Sequence, residues 1–390
     1  MVKNSKIKVI FLSLILLFTF IVTSTQITYA EEPFDVEGKS AILIDAGTGK
    51  ILYEKNIHEK LYPASITKIM LLLLAMEALE NNKISLKDDV LITSNAAGMG
   101  GSQLYMEEGE VQKVEDLIKA VSIRSGNDTA VALAEHIAGS EELFVDMMNQ
   151  RANELGMTNT NFVNTHGLHD DNHYTSAYDI SIMSRELLKY PKVHEWLKIW
   201  MATLKVGKEK DSVQQMVNTN KLVKHYKGAN GIKTGYTSKS MYCLAASATR
   251  GNLTLISVIL SSPSVSQRNQ DSMKILNHGF ANYDSIPIVK KGEVIKNVPV
   301  SKGNIENVNI VADNNLSILV KKGESKDVER EILLPETIDA PIETNTKVGE
   351  IICRINGEEK GRVDLICKDE VQKISLSKMI NRVFSQLLGK

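Results

Sequence analysis

Eight consecutive apolar residues, Ile69 to Met76, constrain this chain more than any other stretch. A segment apolar on every face reads as a helix buried on all sides. It is too short to cross a bilayer, which takes ~20 residues. Directly before it stands Pro63-Ala64-Ser65-Ile66-Thr67-Lys68. A serine and a lysine three apart are one helical turn from each other and share a face. The sequence therefore predicts a hydroxyl at the N-terminus of a core helix with an amine beside it. Helix-end amides and the helix dipole are available there to an oxyanion. A lysine in an apolar wall has its pKa lowered until the neutral amine can act as a base. Taken on its own, this stretch favours the plainer reading, an N-capping serine and a snorkelling lysine. Only the remainder of the chain separates the two readings.

At 390 residues the chain has room for two or three domains. Its net charge of −1 gives no reason to expect a nucleic-acid partner. The first 30 residues read as a signal peptide: Lys3, Lys6 and Lys8 precede an apolar region from Val9 to Val22, and Thr28-Tyr29-Ala30 ends in a small residue before Glu31-Glu32. Export with cleavage after Ala30 is the expectation, an uncleaved anchor the alternative. Three cysteines are too few for a disulfide scaffold. Cys353 and Cys367 fall in neighbouring candidate strands and could pair in an oxidising compartment. Cys243, inside Tyr242-Cys243-Leu244-Ala245-Ala246, reads as a small buried hydrophobe.

Ser40 to Asp45 and Lys50 to Glu54 flank the Gly-rich turn Ala46-Gly47-Thr48-Gly49, a β-hairpin pattern. The pattern from about Asp116 to Gly156 is helical, and Asn161 to His173 is a polar loop. Ser176-Ala177-Tyr178-Asp179 has capping-box spacing and starts a further helix. Ile232 to Tyr236, Met241 to Thr249 and Leu253 to Ser261 form an antiparallel meander, closed by a helix from Gln267 to Tyr283. Strands, then helices, then strands and a helix predict an α+β domain over 33–283, its sheet joining the hairpin to the meander. From 285 to 370 short β-rich runs alternate with Gly, Asn and Pro turns, a small all-β domain. In 371–390, Leu376, Met379, Ile380, Val383, Phe384, Leu387 and Leu388 recur at three-and-four spacing, with Lys378, Arg382 and Lys390 on the polar face. That predicts an amphipathic helix lying on an anionic membrane surface, or one packed on the β domain.

Two more short motifs follow Ser65-x-x-Lys68 in order. Ser125-Gly126-Asn127 stands just before a helical run, and Lys233-Thr234-Gly235 lies on a predicted strand. Each is weak alone; together they form the three-part signature of penicillin-recognising serine enzymes. The chain resembles the serine D-alanyl-D-alanine carboxypeptidases, the low-molecular-mass penicillin-binding proteins, across nearly the whole exported chain. The resemblance implies a β-lactamase/transpeptidase-like α+β fold, an antiparallel five-stranded sheet with helices on both faces. It implies removal of the terminal D-alanine from peptidoglycan stem pentapeptides, acylation by β-lactams, and no cofactor or metal. Ser65 would be the nucleophile and Lys68 its base, with Lys233 helping to keep Lys68 neutral. Ser125 would relay a proton to the departing amine, and Asn127 would hold the substrate backbone. Lys233 and Thr234 suit the peptide's terminal carboxylate, and Gly235 permits its close approach. By resemblance, the backbone N–H groups of Ser65 and Tyr236 form the oxyanion hole. Arg268 would assist with the carboxylate, or is simply a surface arginine at a helix start. Tyr236 departs from the histidine that many relatives carry after Lys-Thr-Gly.

Other readings make distinct demands. A class A β-lactamase shares the motifs but carries Asp where this chain has Gly126, and it uses a glutamate to activate the deacylating water. Thr158 to Asp171 holds no glutamate, only Asp170 and Asp171. His166, His169 and His173 have metal-ligand spacing, yet Gly167, Asp170, Asp171 and Asn172 suggest a loop in which they play structural parts. A non-catalytic penicillin-binding sensor and a DD-endopeptidase remain as alternatives to the carboxypeptidase.

Overall fold

The computed structural model describes residues 35–324, 327–375 and 379–380. The expected signal peptide lies outside these residues, as do 376–378 and 381–390 of the expected C-terminal helix. No helix among the described residues is long and apolar enough to cross a membrane.

The first part of the chain is built on strands β1 (Ser40–Asp45) and β2 (Ile51–Lys55), two short pairs, and a meander. The pairs are β3 (Asp89–Leu91) with β4 (Val111–Lys113), and β5 (Met201–Val206) with β6 (Ser212–Val217). The meander is β7 (Ala229–Thr237), β8 (Met241–Arg250) and β9 (Leu253–Ser262). Hairpin and meander join through β1 and β9, with Ser40 opposite Leu260 and Asp45 opposite Leu255. The result is a five-stranded antiparallel sheet in the order β2-β1-β9-β8-β7. Strand alternation sends Ile42 and Ile44 into the main core and Leu43 to the opposite face. There the helix Val265–Asn282 packs so closely that a Cβ on Gly279 would lie 2.5 Å from Leu255 Cδ1 and 2.8 Å from Leu43 Cδ2.

The longer helices are α1 (Lys68–Glu80), α2 (Val114–Ile123), α3 (Asn127–Ala138), α4 (Glu141–Glu154), α5 (Ala177–Leu187) and α6 (Val265–Asn282). α6 covers one face of the sheet; α1 and α5 lie on the other, so helices flank both faces. Residues Ile69 to Ala75 of α1 are all buried, which satisfies a sequence apolar on every side. The helical pattern from Asp116 to Gly156 resolves into three helices. Arg124 to Gly126 breaks the first from the second. Gly139, at φ +91°, ends the second, and Ser140 caps the third by accepting from Leu143 N. Ser176 caps α5, its hydroxyl accepting from Asp179 N.

The later strands are β10 (Tyr283–Val289), β11 (Val294–Ser301), β12 (Asn307–Ala312), β13 (Leu316–Lys321), β14 (Glu329–Leu333), β15 (Ile338–Asp339), β16 (Lys347–Ile355) and β17 (Glu358–Cys367). They enclose a second core that includes Val298, Ile310, Ile318 and Leu365. Val371 belongs to this core and bridges Ile342, and Lys373 bridges Gly303. The chain up to Ile374 therefore runs with the strands, not in a helix starting at 371.

Cys353 and Cys367 do not pair. Cys353 sits opposite Gly361, six residues from Cys367 along β17, or about 20 Å at strand rise. A disulfide needs Cα atoms about 4.4–6.8 Å apart. All three cysteines are buried free thiols.

Candidate active site

Ser65 does not stand at the start of an α-helix as expected. It lies in a 3-10 turn, Ala64–Thr67, which runs straight into α1. Ala64 is held at φ +49°, a left-handed conformation that costs a side chain about 1–3 kcal/mol. The turn preserves the one-turn spacing of the pair: Lys68 Nζ is 3.2 Å from Ser65 Oγ. The lysine is fully buried. It donates to Asn127 Oδ1 and to the His166 carbonyl, both at 2.7 Å. Burial, and then the positive charge of Lys233, push its pKa well below the ordinary lysine value. A neutral amine has two N–H bonds and one lone pair. The two short contacts use both N–H bonds and leave the lone pair for the Ser65 hydroxyl.

Ser125 closes the bend between α2 and α3, at φ +67°. It is buried, and its Oγ has no hydrogen-bond partner among the described residues. Such an orphan is costly unless something supplies the missing partner. Asn127, at the start of α3, is occupied internally: its Oδ1 accepts from Lys68, and its Nδ2 donates to Gly100 O at 2.7 Å. In this structure it orients the lysine; the sequence expectation had its amide free for substrate.

Across the cleft, Lys233 is buried on β7, its Nζ donating to Thr234 O at 3.1 Å. Burial first, and the charge of Arg268 second, lower its pKa to about 7. Thr234 Oγ1 donates to Thr219 Oγ1 at 2.7 Å. Gly235 is pressed against the turn that carries Ser65, for a Cβ there would lie 2.8 Å from Pro63 O and 3.1 Å from Ser65 N. The need for glycine at this position is thus met within the protein, before any substrate arrives. Tyr236 is 55% exposed and stacks on Tyr242, ring centroids 4.5 Å apart. Arg268 is not a surface arginine. It is buried on α6, donating to Cys243 O at 3.2 Å, with its pKa lowered to about 10 by that burial. It bears on Lys233 through its charge, as a neighbour behind the first layer of the site.

The polar loop 161–175 takes a larger part than its sequence suggests. It pairs with the segment leading to Ser65, Leu61 N donating to Thr175 O and Thr175 N to Leu61 O. Gly167, at φ +83°, lies so near the turn that a Cβ would sit 1.9 Å from Ala64 O. The three histidines of metal-like spacing are spent on structure. His166 Nδ1 accepts from Leu168 N, His169 lies 3.3 Å from Asp171, and His173 Nδ1 accepts from Val163 N. No group of three His, Cys, Asp or Glu side chains that could hold a metal occurs among the described residues.

Comparison with known proteins agrees with this geometry. A family model described as "D-alanyl-D-alanine carboxypeptidase" matches residues 26–264. A second, "Penicillin-binding protein 5, C-terminal domain", matches 283–373. The D-alanyl-D-alanine carboxypeptidase DacF of Bacillus subtilis is 42% identical over 347 residues, 89% of each chain. DacC of Escherichia coli is 33% identical over 368 residues, 92% of this chain and 90% of that one. Among solved structures, penicillin binding protein 5 from Haemophilus influenzae superposes with a TM-score of 0.68 at 31% identity, covering 87% of this chain and 98% of that one.

Proposed function

This chain belongs to the D-alanyl-D-alanine carboxypeptidase family, and from that membership we propose how its own residues carry the reaction. The protein is a serine-type, penicillin-binding D-alanyl-D-alanine carboxypeptidase of cell-wall metabolism. Its substrate is the peptidoglycan stem peptide, and β-lactams compete for the same serine.

The observation that carries the assignment of roles is the buried Lys68 amine 3.2 Å from Ser65 Oγ. Lys68, neutral, takes the hydroxyl proton as Ser65 attacks the carbonyl carbon between the last two D-alanines. The developing oxyanion is met by the Ser65 and Tyr236 N–H groups, by family resemblance. Losing one such donor costs on the order of a hundredfold in rate. Ser125, whose Oγ is buried and unpaired, passes the proton to the departing amine, and D-alanine leaves. Water then attacks the acyl-enzyme ester, releasing the shortened peptide and restoring the Ser65 hydroxyl. Lys233 and Thr234 hold the terminal carboxylate. Asn127 holds Lys68 in line, and Arg268 acts on Lys233 from behind.

We read the chain as exported, with residues 1–30 as signal peptide and 33–283 as the peptidase domain. Residues 285–370 form the small β domain, a division supported by the two separate cores. The C-terminal helix is read as resting on the outer face of the cytoplasmic membrane. The decisive test is release of free D-alanine from a pentapeptide ending in D-Ala-D-Ala. The wild type should release it and Ser65→Ala should not. No release from either, with penicillin labelling kept, would point to the sensor reading instead.

A further inference from the structure

The peptide joining Ala64 to Ser65 is one rigid plane with two working ends. Its N–H is the Ser65 donor of the oxyanion hole, on the reading given above. Its C=O accepts from Thr67 Oγ1 at 2.8 Å. Thr67 Oγ1 is in turn 2.7 Å from His173 Nε2, 106 residues further along the chain.

The direction of each bond follows. His173 Nδ1 accepts from Val163 N at 3.1 Å, so in the neutral ring the proton resides on Nε2. Nε2–H donates to Thr67 Oγ1, which leaves the Thr67 hydroxyl proton for Ala64 O. Both side chains are buried, Thr67 completely and His173 at 2% exposure. A threonine bonding back three residues is ordinary in a helical turn. A second partner brought from a distant loop to fix that hydroxyl's direction is not. The turn needs such a restraint, because Ala64 is held at φ +49° and would relax if freed. Gly167 and Gly235 both leave room for the plane. A Cβ at either would lie 2.9 or 3.1 Å from Ser65 N.

We propose that His173 and Thr67 are positioning residues for the oxyanion: through the Thr67 hydroxyl, His173 fixes the rotation of the Ala64–Ser65 peptide and so aims the Ser65 N–H. A hydrogen bond at the carbonyl end also polarises the amide and strengthens the N–H as a donor.

The test compares wild type with Thr67→Val, which keeps shape and loses the hydroxyl, and Thr67→Ser, which restores it. His173→Leu and His173→Gln form a second pair; glutamine retains one donor and one acceptor. Three quantities are measured: the acylation rate constant with a chromogenic β-lactam, KM for a D-Ala-D-Ala peptide, and the affinity of a peptidyl boronic acid. The boronate forms a tetrahedral adduct on Ser65 and reports the oxyanion hole directly. Thr67→Val and His173→Leu should lower acylation and boronate affinity together by roughly tenfold to a hundredfold. KM should stay within about twofold, and Ser and Gln should recover most of the loss. Boronate affinity unchanged in Thr67→Val and His173→Leu, or lost equally in the conservative variants, would overturn the proposal while leaving the carboxypeptidase reading intact. A wild-type protein that neither acylates nor binds boronate would overturn both. If Thr67→Val does not fold, the His173 pair decides.

Discussion

Burial and a neighbouring cation, with no carboxylate among the causes, set how Lys233 titrates. Its depressed pKa, about 7, is set first by burial and then by the charge of Arg268. A neighbouring cation disfavours the protonated form, so removing it must raise the lysine's pKa. If the ammonium of Lys233 grips the substrate carboxylate, kcat/KM falls as pH rises through that pKa. Arg268→Met should therefore move the alkaline limb of the kcat/KM profile for D-alanine release upward by about one pH unit. An unmoved limb would disconnect Arg268 from the site. The three motifs were legible in the sequence because each declares a chemistry by residue type and spacing, and the structure brings Lys68 Nζ to 3.2 Å from Ser65 Oγ. Arg268 was half legible: a helix start is as often exposed as buried, and only the packing of α6 under β8 decides it. Asn127 was legible as a site residue but not in its work, since nothing local says that its amide will be taken up by Lys68.

The regular elements came through almost intact. Hairpin, meander and closing helix announce themselves by periodicity and turn residues, and the structure extends the predicted strands by no more than about three residues at an end. The 3-10 turn at Ser65 was not legible, because 3-10 and α-helix share residue preferences over a single turn. The service of loop 161–175 to the Ser65 turn was also hidden. Its contributions are largely main-chain ones, the His166 carbonyl on Lys68 and the bare Cα of Gly167 against Ala64, made from about 100 residues away. Gly167→Ala makes this contact measurable. The new methyl meets Ala64 O at 1.9 Å from a backbone at φ +83°, so either the loop or the turn must yield. A stability loss of roughly 2–4 kcal/mol is expected in thermal or urea unfolding, with acylation slowed at least tenfold. A variant that unfolds and acylates like wild type would show the loop to be a bystander.

For the molecule as a whole, two cores follow one another along the chain, and all three motifs precede the second. The β-rich run was legible as a change of texture. Its exact end was not, because Val371 looks like the first apolar residue of the amphipathic segment and in fact belongs to the second core. On the proposed reading of the C-terminal residues as a membrane anchor, Lys378 and Arg382 are the cations that would meet anionic lipid, each worth about 1 kcal/mol near the surface. Lys378→Glu with Arg382→Glu should shift the protein from the membrane to the soluble fraction, most clearly at low salt. Unchanged partitioning onto anionic vesicles would remove that role.

The position of β7 at the margin of the sheet has one more consequence. A marginal strand offers a row of main-chain donors and acceptors to whatever extended chain approaches, whether a stem peptide or another copy of the same protein. The surface best suited to catalysis is therefore also the one most open to self-association. Here the Pro63–Ser65 turn is seated over the face of β7 at Gly235, on the side where a Cβ would point, and not along its outer edge. Whatever extended chain pairs with the outer edge of β7 therefore runs alongside the Ser65 turn, not through it.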